Sequence, residues 1–253
     1  MGKWDANQYL KFENQRTLPA IDLANRIKDL APATVLDIGC GPGNSTNIVK
    51  KAFPDADVIG IDSSQDMIEK AKLNYPDITF KLLDANSLTE RYDVIFSNAC
   101  LQWIPDHAHL IPYLIKDHLN DGGVIAVQIP MNGEEPLFRI IREVAGNAKW
   151  GFSEEPHNNA RTLQPIEYYS ILEDCSSSFQ IWETVYYHNL PSHKALVEWV
   201  NGTRIRPYLA QLDDEMGKRF EDEIVEKAKA AYPVMNSGEV ILKFRRFFFV
   251  AIK

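Results

Sequence analysis

The chain has 253 residues, 45% of them apolar, enough for one large core or one core with an insertion but tight for two large independent domains. Charged residues make up 25%, the average for a globular protein, and a formal net charge of −8 repels a phosphate backbone at long range, which argues against a nucleic-acid partner. Cys40, Cys100 and Cys175 lie far apart and form no CxxC pair, so no metal site and no disulfide framework are expected, and the setting is expected to be cytoplasmic.

The opening stretch MGKWDANQYLKFENQR is too polar for a secretory signal. No apolar run approaches the roughly 18 residues of a membrane span, so no membrane partner is expected. Within this stretch Tyr9, Phe12 and Arg16 fall at helical spacings of three and four residues. Residues 1–30 therefore read either as a helical segment that closes over a ligand or as an amphipathic helix docked on the domain.

Residues 34–39 (TVLDIG) form a short β-branched and apolar run that ends in glycine, which suits a buried strand. Residues 44–53 read as a helix with Asn44 or Ser45 as its cap. Strand 57–62, helix 64–75, strand 78–84, strand 92–99, helix 107–119 and strand 122–129 follow. Apolar strands alternating with helices imply right-handed crossovers and a parallel sheet covered on both faces.

The rhythm changes after Pro130. Residues 136–147 make an amphipathic helix, 148–164 an irregular rim loop that carries Arg161, 165–175 a helix and 179–188 a strand. From Ser192 to Tyr232 the pattern is helical with a break near Pro207, and 239–252 is a long final strand. The expected architecture is a single α/β domain over 1–253, doubly wound, with a helical lid inserted at 191–237. There is no internal repeat.

The chemistry is concentrated in Asp37-Ile38-Gly39-Cys40-Gly41-Pro42-Gly43-Asn44. Glycines let the backbone turn sharply after a strand and let a ligand approach without a Cβ in the way. A dinucleotide fingerprint, G-x-G-x-x-G, would need glycine where Asn44 stands, and no G-K-[ST] ending marks a triphosphate loop. The observed G-x-G-x-G has Asp37 two positions before its first glycine. A pyrophosphate has no use for that carboxylate, whereas an α-ammonium group does. The spacing thus favours an amino-acid-bearing nucleoside.

Asp62 stands at the next strand end, about 20 residues on, where an acidic side chain accepts ribose hydroxyls. Asp84, followed by Ala85, ends the strand after that, where a carboxylate can accept from an adenine amino group. Each aspartate alone could simply cap a helix or close a turn. Three at consecutive strand ends around one glycine loop converge on the crevice at the topological switch point.

This constellation resembles the class I S-adenosylmethionine-dependent methyltransferases. The resemblance implies a Rossmann-like, seven-stranded, mostly parallel sheet whose last strand, 239–252, is antiparallel. It also implies S-adenosylmethionine as methyl donor and S-adenosylhomocysteine as product. Asp37 and Gly39 would lie by the methionyl group, Asp62 by the ribose, Asp84 by the adenine, and Asn98 with Ala99 under the sulfonium, with Gly41, Ser63 and Ala85 as further cofactor-binding candidates.

A narrower likeness, to the trans-aconitate methyltransferases, runs through Trp4–Arg16, Ile61–Ile68, Asn98–His107, Trp182–Val200 and the closing ILKFRRFFFVA. Arg204 departs from it, standing where that family is expected to have glycine, while Arg206-Pro207 agrees. The implied acceptor is a small carboxylic acid. A carboxylate is already ionised near neutral pH, so no catalytic acid or base is expected and in-line positioning carries the rate.

Arg204 and Arg206 are the candidate carboxylate forks, against the alternative of solvated surface charges. Tyr9, Trp103, Tyr187 and His188 are further candidates at the acceptor. Trp103 either walls the methyl site or belongs to the core. His188 would be the base for a hydroxyl acceptor, or is an ordinary strand-end histidine. Strand alternation puts Tyr186 and His188 on one face and Tyr187 on the other.

Three other classes would carry signatures of their own. A methyltransferase for a carrier-bound acid would need a basic docking surface, against which the acidic balance argues. A non-catalytic binding subunit would be expected to lose the glycine loop or an acidic strand end, and neither is lost. A base-amino methyltransferase would have an N-P-P-[YF]-type segment where Asn98-Ala99-Cys100-Leu101 stands.

Overall fold

The computed structural model describes residues 13–152 and 162–253. Seven strands form one sheet: β1 (Thr34–Ile38), β2 (Asp57–Asp62), β3 (Thr79–Leu82), β4 (Tyr92–Asn98), β5 (Leu119–Pro130), β6 (Ser178–Leu190) and β7 (Val240–Ile252), in the order β3-β2-β1-β4-β5-β7-β6. β1 to β5 are mutually parallel, and β7 runs antiparallel to β5. The sheet grows outward from β1 to β3 and then returns to the other side of β1 for β4. That reversal opens a crevice beyond the carboxyl ends of β1 and β4.

The chain divides into two compact units. The larger holds residues 16–130, 159–184 and 246–253. Its sheet core follows from strands that are apolar on both faces: Val35, Leu36, Ile95, Phe96, Ile125, Ala126 and Val127 have essentially no exposure. Helix α1 (Glu13–Arg26) packs Ala20, Leu23 and Ala24 inward, with Ile27 one turn on completing a helical stripe. Helices α2 (Asn44–Ala52), α3 (Gln65–Asn74) and α4 (His107–His118) form the crossovers, and α6 (Pro165–Cys175) packs on α4.

Among the described residues the smaller unit holds 13–15, 131–152 and 185–245, with α5 (Pro136–Ala145), α7 (His193–Val200), α8 (Arg206–Leu209) and α9 (Asp214–Ala231). It has its own apolar core. Leu137, Phe138, Ile141 and Val144 of α5 meet Leu196 and Trp199 of α7 and Phe220 and Ile224 of α9, together with Val240, Leu242 and Phe244. The Tyr232 hydroxyl accepts from the Leu137 N–H at 2.8 Å and donates to Glu135 at 3.1 Å, which fixes the start of α5.

One local expectation is corrected and one is made more exact. Neither Asn44 nor Ser45 caps α2; Gly43, in the left-handed region at φ 95°, takes that position, and the Ser45 hydroxyl turns back to Asp37. The helical segment is interrupted near Pro207, although Pro207 itself lies in the first turn of α8, where its missing N–H is no loss. The irregularities lie on either side, as a π-helical stretch at Asn201–Ile205 and as the turn between α8 and α9. No helix among the described residues is long and apolar enough to cross a membrane.

Candidate cofactor and active site

The glycine loop is tied to its neighbouring strand by backbone bonds: the N–H groups of Gly39 and Cys40 both donate to the Ile61 carbonyl, at 2.8 and 2.9 Å. Gly39 has φ +72°, and a Cβ there would overlap the Cys100 side chain. Gly41 is different: at φ +53°, an added Cβ would meet nothing within 4 Å. One glycine is required by packing on the protein, the other borders open space where a ligand can approach the backbone.

Asp37 is fully buried. Its Oδ2 accepts from the hydroxyls of Ser45 at 2.6 Å and Thr46 at 2.7 Å, while its buried Oδ1 has no partner among the described residues. Burial pushes its pKa up to about 6, against the two hydroxyls, with the negative charge of Asp62 adding a smaller rise. A buried carboxylate oxygen left open is costly unless a donor completes it. A cationic ammonium is the donor that would relieve both the vacancy and the raised pKa.

Asp62 accepts from the Gly41 N–H through Oδ2 at 3.0 Å and from the Ser64 N–H through Oδ1 at 2.9 Å. Each oxygen keeps a lone pair, so the carboxylate, held rigid by two backbone amides, can still accept a pair of vicinal hydroxyls. Ser63 beside it is exposed. Asp84 does cap a short 3₁₀ turn, through Oδ1 and the Asn86 N–H at 2.8 Å. Its Oδ2 makes no hydrogen bond among the described residues, and Ala85 is buried behind it. The donor set therefore fits an amino-acid-bearing nucleoside: one orphaned buried carboxylate oxygen, two further carboxylates with free capacity, and an open glycine.

At the end of β4, Asn98 carries a buried Oδ1 with no partner among the described residues, and the next residue, Ala99, has φ +53°. A non-glycine residue there is held by its surroundings. The Ala99 N–H donates to the Gln128 carbonyl at 3.0 Å, and Gln102 Nε2 donates to the Ala99 carbonyl at 2.7 Å. His107 then fixes the same loop, with Nε2 2.7 Å from the Leu101 carbonyl and Nδ1 2.6 Å from the Tyr168 hydroxyl. Trp103, on this loop, is 45% exposed, which excludes the core reading.

The other acceptor candidates lie in the helical unit and do not all converge. Tyr187 is 66% exposed while His188 is buried, stacked on Trp199 at 4.6 Å, so the two point to opposite faces as strand alternation requires. His188 is therefore not an ordinary solvated strand-end residue. Arg204 lies over the Phe138 ring, its guanidinium carbon 5.4 Å from the centroid, and burial lowers its pKa. Arg206 is exposed, two residues on, and residues so spaced in a helix do not share a face. Tyr9, Phe12 and Arg161 lie outside the described residues. No three His, Cys, Asp or Glu side chains among the described residues are grouped as a metal would require.

Sequence reasoning missed Ser45 and Thr46 as partners of Asp37, the Gln102, His107 and Tyr168 clamp, and the amide of Gln128 beside Asn98 in the register. The hydroxyl pair directly after the glycine loop was the one available signal. The others depend on long-range pairing.

A methyltransferase-domain family model matches residues 31–188, the segment that contains all three strand-end carboxylates. The chain belongs to this methyltransferase family. It is 41% identical to a trans-aconitate 2-methyltransferase of Methylobacterium radiotolerans, over 100% of this chain and 99% of that protein. It is 42% identical to the enzyme of that name from Rhodopseudomonas palustris, over the full length of both. In fold it is similar to the YcgJ protein of Bacillus subtilis, with a TM-score of 0.61 at 15% identity over 93% of this chain and 98% of that one. The methyltransferase is an S-adenosylmethionine-dependent enzyme with the seven-stranded, mostly parallel sheet expected of its class.

Proposed function

We propose that this methyltransferase esterifies a carboxylate of a small polycarboxylic acid, with trans-aconitate as the acceptor. The observation that carries this reading is the extent of the likeness. The family model stops at residue 188, but the relationship to trans-aconitate 2-methyltransferases covers the entire chain, helical unit included. A shared donor site alone would not require that.

S-adenosylmethionine, when bound, supplies a methyl group already activated on a sulfonium. Asp37 would hold its ammonium, with Gly39 and Gly41 giving the backbone access to the methionyl group. Asp62 and Ser63 would hold the ribose, Asp84 and Ala85 the adenine, and Asn98 would lie beneath the reacting centre. For the acceptor, a carboxylate with an ordinary pKa of about 4 is fully ionised near neutral pH, so the chain has no proton to remove. Its residues then act by orienting and desolvating the acceptor, where effective molarities of roughly 10⁵ M or more are available. Arg204 and Arg206 supply cations, Trp103 and Tyr187 aromatic surface, His188 a polar edge, and Tyr9 belongs to the same proposed set.

The test is incubation of the purified protein with methyl-labelled S-adenosylmethionine and a panel of mono-, di- and tricarboxylic acids. Base-labile label on trans-aconitate is the expected result. Label found only on a carrier-bound acid, or on no carboxylic acid, overturns the reading.

A further inference from the structure

The glycine loop has its own polar groups satisfied by the protein. The N–H groups of Gly39 and Cys40 donate to the Ile61 carbonyl, that of Gly41 to Asp62 and that of Gly43 to the Cys40 carbonyl. Pro42 has no N–H to satisfy. The Gly43 carbonyl accepts from the Asn47 N–H at 3.0 Å, and the Gly41 carbonyl faces Cys40 Sγ at 3.6 Å. The Pro42 carbonyl is met from outside the loop, where Asn74 Nδ2 donates to it at 3.1 Å. The next residue, Tyr75, donates through its hydroxyl to Asn44 Oδ1, also at 3.1 Å.

These two side chains come from one helix end. Asn74 is the last residue of α3, and the Tyr75 N–H closes the helix on the Ala71 carbonyl at 2.9 Å. Ile68 and Ala71 of α3 share a buried cluster with Cys40 and Phe80, and Tyr75 packs against it. The helix end is thus anchored on the loop that it holds. Gly43, at φ +95°, comes so close to the Tyr75 ring that a Cβ would lie 2.6 Å from its Cδ2. The ring supports the backbone at Gly43 while the two polar groups fix the residues on either side. Tyr75 engages the Asn44 oxygen as Asp37 engages the Ser45 hydroxyl, and neither residue caps α2.

We propose that Asn74 and Tyr75 are positioning residues for the methyl donor, holding Pro42, Gly43 and Asn44 in the binding shape before the ligand arrives. This rests on the reading that places the donor at the Asp37–Asn44 loop, and adds to it two side chains that act through the loop backbone. All of these residues belong to the larger unit. A ligand that binds only the formed loop has its affinity reduced by the fraction of molecules in which the loop is formed. Releasing Pro42 and Asn44 lets Gly41 and Gly43, both at positive φ, leave that conformation for others that glycine adopts as readily. The loss then falls on donor affinity and not on methyl transfer, because at saturating donor every loop is formed.

The test compares Asn74→Ala, Tyr75→Phe and the double variant in the full chain. Tyr75→Phe keeps the ring on Gly43 and removes only the hydroxyl. Isothermal titration with S-adenosylhomocysteine is expected to show the double variant weakened about 5- to 30-fold, the order of two neutral hydrogen bonds, and each single variant less. Turnover at saturating S-adenosylmethionine should keep the wild-type kcat and acceptor KM. Amide exchange over residues 39–47 should be faster in the ligand-free double variant and return to the wild-type rate when S-adenosylhomocysteine saturates it. Lys50→Met is the control. Lys50 Nζ donates to the Pro54 and Ala56 carbonyls, at 3.0 and 2.8 Å, beyond the other end of α2, so its loss should lower the unfolding midpoint without changing ligand affinity. Affinity within twofold of wild type in the double variant overturns the proposal. So does a loss of affinity in Lys50→Met that matches the double variant at equal loss of midpoint. Failure of the donor-site reading is distinguishable, since Asp37→Asn would then bind S-adenosylhomocysteine as the wild type does.

Discussion

The Tyr168 hydroxyl lies 2.6 Å from His107 Nδ1, both side chains are buried, and the other ring nitrogen faces the Leu101 carbonyl at 2.7 Å. A carbonyl only accepts, so Nε2 carries a proton, and when the ring is neutral Nδ1 accepts from the Tyr168 hydroxyl. One tautomer is fixed, and with it the loop that carries Asn98 and Trp103. Tyr168→Phe keeps the ring, which stacks on Phe247 at 5.0 Å, and leaves Nδ1 without its donor. The expected outcome is a kcat lowered by about tenfold or more through loss of positioning, with S-adenosylmethionine Kd unchanged. Steady-state kinetics beside direct titration of the cofactor checks this, and a matched loss in both would place Tyr168 in the general fold instead.

Cofactor affinity should depend on the ionisation of Asp37. Its pKa in the free protein is raised from 3.8 to about 6, chiefly by burial. Above that value the carboxylate is charged and can hold an ammonium; below it the proton must leave before binding. The Kd of S-adenosylmethionine is therefore expected to be lowest between about pH 6 and the loss of the ligand's own ammonium proton near pH 8, and to rise as pH falls through about 6, by up to tenfold per pH unit in the limit of one proton displaced. Asp37→Asn should weaken binding and remove this slope. The sign for stability runs the other way. A carboxylate whose folded pKa is raised favours the protonated native state, so its contribution to stability declines as pH rises from about 4 through about 6 and is constant above.

The proposed donor site was legible in the sequence because its parts are local. Asp37, Asp62 and Asp84 each follow from a short apolar run ending in an acidic residue, and a parallel sheet brings such ends together. The parallel part of the fold was legible for the same reason, while the antiparallel β7 came from the family resemblance and not from any local run. The proposed acceptor residues were less legible. Arg204 and Arg206 look equivalent in TRIRP, yet one is drawn over Phe138 and the other is exposed, a difference set by the π-helical register that no periodicity rule anticipates. Asn44 and Ser45 both have good capping side chains, but the requirement to satisfy a buried carboxylate drew the Ser45 hydroxyl away.

The helical unit should be sensitive to its aromatic centre. Phe220 is fully buried and meets Trp150 at 5.1 Å, Phe152 at 5.6 Å and Tyr208 at 5.6 Å between ring centroids. Phe220→Ala is expected to destabilise by about 3–5 kcal/mol through lost burial and the cavity left behind. Denaturant unfolding would show it as a lower midpoint. Because Asp37, Asp62 and Asp84, proposed to hold the donor, belong to the other unit, S-adenosylmethionine binding well below the unfolding midpoint should be retained.

The last prediction separates two reasons for one glycine. A Cβ on Gly39 would overlap Cys100 and would also have to adopt φ +72°. The overlap involves both Sγ and Cβ of Cys100, so glycine at residue 100 removes it, whereas the φ stays. Gly39→Ala is expected to abolish measurable cofactor binding. Gly39→Ala with Cys100→Gly clears Sγ and Cβ but leaves the left-handed backbone, a strain of about 1–2 kcal/mol. It should therefore recover part of the affinity and stay weaker than wild type, while Cys100→Gly alone keeps measurable binding. Gly41→Ala meets open space, so its loss, if the ligand approaches there, should resist rescue by any protein substitution and appear only in the cofactor Kd and not in the unfolding midpoint beyond the backbone strain. A double variant as weak as Gly39→Ala alone would mean that backbone conformation, and not the thiol, decides what residue 39 can be.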